Sequence, residues 1–279
     1  MKRCDLHSHS HFSDGTLPPA ELVKLAEKAG VCALALTDHN TTKGLSEFMK
    51  AGESSEVITV PGCEFSTGYE GTELHIVGLF LAENSWPEVE DYVELMHIAK
   101  RHSNYSLIKA LRENGYDITY EEVAASTDAE EFNRAHVAKL LFEKGMVDDI
   151  NHAFKTILSE KNGLYKPPKR LGSIATVRFI KDCGGVAILA HPFLNLDEAG
   201  LRKFLPEAKK AGLDAIETRY SKFDEETTRL AEQIAEEYGV KQSGGSDFHG
   251  SVKPDISIGT GTGNLFVPFE FYENLKAGI

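Results

Sequence analysis

The histidines and carboxylates near the N-terminus are the residues of this sequence best suited to chemistry. His7 and His9 stand at i and i+2 in a short run that opens with Asp5. On an extended strand, residues at that spacing point to the same face, so both imidazoles can reach one metal ion. Asp14 precedes Gly15, where the chain can turn and bring a carboxylate back toward the end of the strand. The segment therefore predicts part of a metal site whose other ligands come from later in the chain.

Histidines and carboxylates of the same kind stand at the ends of later predicted strands. In a βα barrel the carboxyl ends of the strands converge on one face, whatever their separation in sequence, so we expect these side chains to meet. Such a group suits two or three divalent ions, with a carboxylate bridging a pair. Imidazole and carboxylate donors without thiolate favour Mn, Fe or Zn. The predicted metal ligands are His7, His9, Asp14, His39, Glu64, His75, His191, Asp247 and His249.

Several other histidines are left out of this set. His11 belongs to the N-terminal motif, but its position has the wrong parity to share one strand face with His7 and His9. We therefore predict that His11 is not a ligand. Three more fall on predicted helices and are interpreted as surface or core residues: His97, His102 and His152.

Strand and helix patterns alternate in the two outer parts of the chain. Pro19 suits the first turn of a helix that Gly30 ends, and the apolar run 31–37 is typical of a buried strand. Between about residues 88 and 165 helical patterns dominate instead. This organisation predicts the α/β class, with a barrel domain formed by residues 1–87 and 166–279 and an all-helical insertion at residues 88–165. The C-terminal tail, which carries the glycine-rich run 259–263, is expected to be a loop.

Composition limits the partners of this protein. The chain has 279 residues and a formal net charge of −13, a balance that disfavours long duplex nucleic acid and anionic membranes but leaves small anionic ligands possible. No apolar run approaches the length needed to cross a bilayer, and no charged leader is recognised. The four cysteines are scattered and indicate reduced thiols, so a cytoplasmic location is expected.

The order of these motifs resembles the PHP (polymerase and histidinol phosphatase) family over almost the whole chain. Within the insertion, Arg134-x-His136 is similar to the stand-alone PHP phosphoesterases. One departure is Asn40, because the family usually has Asp after the histidine at this point; the change puts in doubt any supporting role of that position. The matching motifs are Asp5-Leu6-His7-x-His9, Ser13-Asp14-Gly15, Thr37-Asp38-His39, Gly62-Cys63-Glu64, His75, Ala190-His191-Pro192 and Gly245-Ser246-Asp247-x-His249.

The resemblance implies a distorted seven-stranded (βα) barrel with a trinuclear centre of divalent ions. On that pattern one metal is held by His7, His9 and Asp247, and a second by His75 and His191, with Glu64 bridging the two. The third metal is held by Asp14, His39 and His249.

The resemblance also implies a metal-dependent phosphoesterase that acts through a hydroxide bridging the metals. Its expected reactions are removal of the 3′-phosphate from nucleoside 3′,5′-bisphosphates and trimming of short 5′-phosphorylated RNA, and the sequence does not separate them. Asp247 and His136 are the candidates for the general acid. Arg134 is expected to bind a phosphate, with further charge from Lys166, Arg170 and Arg219.

Two alternatives remain at this point. A histidinol-phosphate phosphatase would use the same metal core with a pocket for an imidazole and an amine. A non-catalytic PHP module, of the kind that supports a polymerase, would need no activity. All nine predicted ligands are present, which favours an enzyme.

Overall fold

A computed structural model describes residues 2–127, 132–161 and 163–279. The chain divides into two compact units, one made of Met1–Val93 and Leu171–Ile279 and the other of Glu94–Arg170. In chain order the elements are β1 (Arg3–Asp5), α1 (Pro19–Lys28), β2 (Val31–Leu36), α2 (Leu45–Gly52), β3 (Ile58–Tyr69), β4 (Thr72–Leu79), α3 (Trp86–Glu113), α4 (Tyr120–Ala125), α5 (Arg134–Glu143), α6 (Ile150–Lys155), β5 (Leu171–Gly172), α7 (Ser173–Asp182), β6 (Val186–Leu189), α8 (Glu198–Ala211), β7 (Ala215–Tyr220), α9 (Glu225–Tyr238), β8 (Lys241–Gly245) and α10 (Phe269–Lys276).

Seven strands form a nearly closed barrel in the order β1-β2-β3-β4-β6-β7-β8, and the short β5 pairs with β3. β4 runs antiparallel to both β3 and β6, while the other neighbouring pairs on this path are parallel. Beyond the end of β1 the chain approaches β8, where the Leu6 N–H donates to the Gly244 carbonyl at 3.1 Å and the Asp247 N–H to the His7 carbonyl at 2.9 Å. The predicted α/β class and the seven-stranded barrel are confirmed.

The alternation of residue size along β2 shows how the barrel is filled. Ala33 and Ala35 belong to the cluster inside the barrel, while Leu34 and Leu36 join the layer formed by α1 and α2. Successive side chains of a strand point to opposite faces, so small residues line the narrow interior and large ones anchor the outer helices. Most of the predicted ligands stand beyond the ends of such strands, whereas Glu64 and His75 lie within β3 and β4.

The helical unit, Glu94–Arg170, has a hydrophobic core of its own. Leu107 and Leu111 of α3 are buried with Val137 and Leu141 of α5. The insertion predicted at 88–165 includes residues 128–131 and 162, which lie outside the described ranges, and its boundaries stay a prediction. No helix within the described ranges combines the length and apolar composition that crossing a membrane requires.

Two helices and one hairpin differ from the sequence prediction. α10 lies in the C-terminal tail that was expected to be a loop, and α2 was not predicted. Both helices are eight residues long and start without a side-chain cap, at Pro268 and Gly44, so the usual signal for a helix start is missing. β3 and β4 form one antiparallel hairpin, with Gly71 at φ +86° in its turn; the apolar patterns of the sequence predict strands at 57–60 and 73–81, so β3 is much longer than expected.

A buried carboxylate connects the first strand of the barrel to the last. Asp5 accepts hydrogen bonds from the backbone N–H of Ser246 at 2.8 Å and from that of Gly259 at 2.7 Å. It thereby connects the end of β1 to the end of β8 and to the C-terminal loop. Its side chain is fully buried, so these N–H groups are out of contact with bulk solvent.

We predict that Asp5→Ala lowers the free energy of unfolding by about 2–4 kcal/mol, because the buried N–H groups of Ser246, Gly259 and His7 lose their acceptor. As a control, Asp224→Ala removes only the exposed N-cap of α9 and should cost about 1 kcal/mol. Urea unfolding of the metal-free proteins measures both changes. Equal losses would show that Asp5 does not stabilise the closure.

Candidate metal centre

Glu64 lies at the middle of the candidate site. It follows Gly62 and Cys63 on β3, and its side chain is fully buried. Both carboxylate oxygens are surrounded by imidazole nitrogens at 2.9–3.2 Å. Oε1 faces His75 and His191, and Oε2 faces His7, His9 and His39.

The second group of ligands surrounds Asp14, whose side chain is about half exposed. Its Oδ1 lies 3.2 Å from His249 Nε2 and 3.7 Å from His9 Nδ1, and its Oδ2 lies 3.8 Å from His39 Nε2. The turn that brings Asp14 back needs Gly15, because a Cβ at that position would overlap the His9 carbonyl. The expected turn at the end of the first strand is therefore present.

Asp247 completes the arrangement beyond the end of β8. Its Oδ1 lies 3.3 Å from His9 Nε2, 3.4 Å from His249 Nδ1 and 3.8 Å from His7 Nε2. Asp247 has φ +56° and His191 has φ +28°, so both adopt left-handed backbone conformations that non-glycine residues rarely take. Such strain at two strand ends is typical of functional sites.

The nine predicted ligands thus converge in one place: seven follow the ends of β1, β2, β6 and β8, while Glu64 lies within β3 and His75 within the antiparallel β4. Ligand atoms of His7, His9, Glu64 and Asp247 lie within 4.8 Å of one another, as do two further overlapping groups. His191 joins them through its 3.0 Å approach to Glu64. The two further groups are His9, Asp14, His39 and His249, and His39, Glu64 and His75. The assignment of particular ligands to particular ions stays a prediction.

The buried polar atoms of this cluster fit divalent cations. In the described structure Glu64 Oε2, His9 Nδ1 and His39 Nδ1 are buried and make no hydrogen bond. In addition, the Nε2 atoms of His7 and His9 face each other at 3.1 Å. Buried polar atoms are normally paired, so this group of lone pairs indicates a site for positive charge. Imidazole and carboxylate donors suit Mn, Fe or Zn.

Burial and mutual attraction set the charges of the cluster. Burial alone would raise the pKa of Glu64, but the histidines around it hold that pKa well below its usual range. Burial opposes protonation of His75 and His9, yet the neighbouring carboxylates raise the pKa of His75 to about 10 and that of His9 to about 9. For His39 burial dominates and lowers the pKa to about 3. The carboxylates are therefore ionised. His9 and His75 carry protons that a bound metal ion would have to displace.

Glu217 is a supporting residue that the sequence analysis missed. Its Oε1 accepts from His7 Nδ1–H at 2.8 Å, which directs His7 Nε2 toward the ligands, and its Oε2 accepts from the His191 N–H at 2.6 Å. A carboxylate behind a ligating histidine fixes its tautomer and orientation. The available signal was a charged residue in the otherwise buried strand β7.

Asp38 supports the loop that carries Asp14. Its carboxylate accepts from the Ser10 N–H at 2.7 Å and from the hydroxyls of Ser10 and Ser13 at 2.6 Å each. These bonds shape the turn between the two N-terminal ligand positions, His9 and Asp14.

Asn40, which stands where the family usually has Asp, has a structural role. It has φ +52°, and its backbone N–H donates to the Glu64 carbonyl at 2.9 Å. Its side-chain amide accepts from the Ser66 N–H at 2.9 Å and donates to the Ser66 hydroxyl at 3.1 Å. An asparagine at this position thus connects the end of β2 to β3, and its side-chain bonds go to Ser66 rather than to a ligand.

The predicted substrate-binding residues are dispersed. Arg134, His136, Lys166 and Arg170 belong to the helical unit. There the Arg134 guanidinium pairs with Glu160 at 3.0 Å and donates to the Leu158 carbonyl, while His136 Nδ1 accepts from the Asn133 N–H at 3.0 Å. These contacts start and stabilise α5, and roles in substrate binding or acid catalysis stay predictions.

Two further residues can be placed in the barrel unit. Arg219 of β7 pairs with Glu232 of α9, whereas Glu217 and Tyr220 of the same strand contact predicted ligands. The structure therefore does not bring Arg219 to the metal cluster. His11 stacks on the Phe12 ring at 4.6 Å and belongs to none of the three groups found in the described structure.

Comparison with known proteins agrees with this geometry. The model of the PHP domain matches residues 5–171. The 5′-3′ exoribonuclease of Haemophilus influenzae is 31% identical over 249 residues, which cover 89% of this chain and 90% of that protein. The 3′,5′-nucleoside bisphosphate phosphatase of Chromobacterium violaceum is 27% identical over 251 residues, covering 89% of this chain and 88% of that protein.

A solved structure is similar over nearly its whole length. It is described as a metal-dependent phosphoesterase from Bifidobacterium adolescentis, with a TM-score of 0.75 and 25% identity. The superposition covers 99% of this chain and 96% of that chain. The similarity therefore includes the helical unit as well as the barrel.

We predict that Glu217→Gln weakens metal binding about 10- to 100-fold, because an amide cannot accept from both His7 and the His191 N–H without turning an N–H group toward one of them. Calorimetric titration of the metal-free protein with Mn²⁺ or Zn²⁺ measures the affinity. Glu232→Gln, which alters only the ion pair with Arg219, should bind like wild type. Unchanged affinity in Glu217→Gln would remove its supporting role.

A second prediction concerns pH. At pH 7 the pKa values of about 9 for His9 and about 10 for His75 keep both rings protonated in the metal-free protein, and metal binding requires neutral imidazole. Metal uptake should therefore release protons and become tighter between pH 6 and pH 8. Mixing with metal in weakly buffered indicator solution measures the release. Uptake without proton release would contradict the charge state inferred for the cluster.

Proposed function

The chain belongs to the PHP domain family as a metal-dependent phosphoesterase, and from this premise we propose that it hydrolyses phosphate esters of small nucleotides at a centre of three divalent ions. The observation that supports this proposal most is the buried Glu64 carboxylate among five imidazoles. In the described structure its Oε2 and the Nδ1 atoms of His9 and His39 are buried and make no hydrogen bond. The ions are Mn, Fe or Zn by the chemistry of the donors.

Bound divalent ions supply an activated water and polarise the phosphoryl oxygens. The protein's part is to hold the ligands in place: Glu64 offers one oxygen to each side of the centre, and Asp247 offers Oδ1 beside His9. The half-exposed Asp14 leaves the centre open to a ligand on its side. Of the two candidates for the general acid, Asp247 is ionised, because burial would raise its pKa but its bond to His9 and the charges of the neighbouring histidines hold that pKa well below the usual range. The proposal for proton donation to the leaving oxygen therefore passes to His136.

The substrate class follows from the relatives and from charge. The two relatives are named as a 5′-3′ exoribonuclease and a 3′,5′-nucleoside bisphosphate phosphatase, and both names describe cleavage of a phosphate ester in a nucleotide or its polymer. A net charge of −13 disfavours long RNA, so we propose 3′-dephosphorylation of nucleoside 3′,5′-bisphosphates or trimming of short 5′-phosphorylated oligonucleotides.

The test is phosphate release by the Mn-loaded protein from adenosine 3′,5′-bisphosphate, compared with nucleotide release from a 5′-phosphorylated dinucleotide and phosphate release from histidinol phosphate. We expect turnover of one or both nucleotides and not of histidinol phosphate, with about three metals per chain by elemental analysis, the number that the proposal requires. Preference for histidinol phosphate would establish the alternative enzyme. A fully metal-loaded protein inactive on all three would favour a non-catalytic module.

His9→Ala and Asp247→Asn should each lower kcat/KM by more than about 100-fold, the upper end of what loss of an outer partner of a ligand costs. The matched control is His152→Ala, an exposed histidine on α6 that should retain activity. Activity that survives substitution of both His9 and Asp247 would exclude this centre as the active site.

A further inference from the structure

The two carboxylate oxygens of Asp247 have different neighbours. Oδ1 lies among the predicted ligands, 3.3 Å from His9 Nε2. Oδ2 instead accepts from the Tyr220 hydroxyl at 2.8 Å and from the Lys253 ammonium at 2.8 Å. Asp247 therefore offers one oxygen to the centre, while its other oxygen is held by a phenol and a cation.

Lys253 connects this buried oxygen to solvent. Its side chain is 30% exposed, whereas that of Asp247 is 6% exposed. An ammonium has three N–H donors, and in the described part of the chain Asp247 is the acceptor recorded for it. The other two N–H groups of the Lys253 ammonium can therefore donate to a phosphate or substrate that reaches the centre from solvent.

The backbone holds Lys253 at this place. The Lys253 N–H donates to the Gly250 carbonyl at 3.2 Å, and its carbonyl accepts from the Ile256 N–H at 3.0 Å. The preceding Ser251 N–H donates to the Thr16 hydroxyl at 3.0 Å, which joins this loop to the one that carries Asp14. The ammonium is therefore positioned by the same loops as two predicted ligands.

The cations predicted from sequence do not fill this role in the barrel. Arg219 pairs with Glu232, away from the cluster, and Arg134 pairs with Glu160 in the helical unit. Lys253, in contrast, contacts a predicted ligand directly, with its ammonium 2.8 Å from Asp247 Oδ2. A phosphate that approaches past the carboxylates of Asp14 and Asp247 meets its positive charge there.

We propose that Lys253 is a substrate-binding residue, which donates hydrogen bonds to the phosphoryl group of the substrate beside the metal centre. This inference rests on the proposed function for the identity of the substrate, but not for the binding of phosphate itself. Tyr220 is a positioning residue. Its hydroxyl holds Asp247 Oδ2 in place while the Lys253 ammonium also donates to the substrate phosphate.

The test compares Lys253→Met and Lys253→Arg with Lys181→Met. Lys181 is a close match, since it is 32% exposed and bonds to Asp214 Oδ2 at 2.8 Å, but at the amino-terminal ends of β6 and β7. Each metal-loaded protein is titrated with inorganic phosphate by calorimetry, after elemental analysis of its metal content. Steady-state kinetics on adenosine 3′,5′-bisphosphate follow.

We expect Lys253→Met to keep its metals and to lose phosphate affinity by about 10- to 100-fold, the equivalent of one hydrogen bond to a charged group. KM for the bisphosphate should rise by a similar factor. Lys253→Arg should recover most of the affinity because it restores the charge, and Lys181→Met should match wild type in both measurements.

Three results would overturn the inference. Phosphate affinity in Lys253→Met equal to wild type would remove Lys253 from the site. Loss of metal in Lys253→Met that Lys253→Arg does not restore would make it a structural partner of Asp247 only. An equal loss of phosphate affinity in fully metallated Tyr220→Phe, which keeps the cation, would assign the effect to the position of Asp247.

The same data separate this inference from the proposed function. Wild type that hydrolyses the bisphosphate, with Lys253→Met unchanged, would leave the function and reject Lys253. Wild type that binds phosphate through Lys253 but hydrolyses no nucleotide would support Lys253 and reject the proposed substrate.

Discussion

A fully buried glutamate surrounded by five imidazoles is the interaction on which the rest of this structure depends. A carboxylate without water is costly unless cations or hydrogen-bond donors compensate it. In Glu64 both oxygens are approached by ring nitrogens at 2.9–3.2 Å, and its pKa is held well below the usual range. These imidazoles come from the chain beyond β1, β2 and β6 and from β4. Barrel closure is therefore what makes the burial of Glu64 tolerable.

The ligands in turn depend on a layer of buried polar residues behind them. Glu217 orients His7 and holds the backbone of His191, and Asp38 shapes the turn before Asp14. The left-handed conformations of His191 and Asp247 cost conformational energy, which surrounding bonds must offset. The bond from the Asp247 N–H to the His7 carbonyl does so for Asp247 and closes the barrel at the same time. Stability and ligand geometry thus share the same contacts.

The sequence was informative about the ligands because seven of the nine follow strand ends, where position along the chain implies position in space, and because Glu64 and His75 stand close to the other motifs on the hairpin of β3 and β4. It was less informative about the groups that support them. Glu217 was visible only as an acidic residue within a mostly buried strand, and Lys253 contacts Asp247 from six residues away in a loop that follows no periodicity. The sequence analysis did not predict helices α2 and α10, because they are short and start at Gly44 and Pro268 without a capping side chain. Irregular loops follow tertiary contacts, which local patterns do not encode.

The charge of the centre explains why a lysine beside a metal ligand is compatible with both metal and phosphate binding. Without ions the carboxylates of Asp14, Glu64 and Asp247 repel an anionic substrate. With the three proposed divalent ions the sign of the local field is inverted, and a phosphate is attracted instead. A cation placed among the metals would oppose their binding, but Lys253 bonds to Oδ2, the oxygen of Asp247 that is turned away from the histidines. It can therefore add positive charge for the substrate while Oδ1 remains free for a metal.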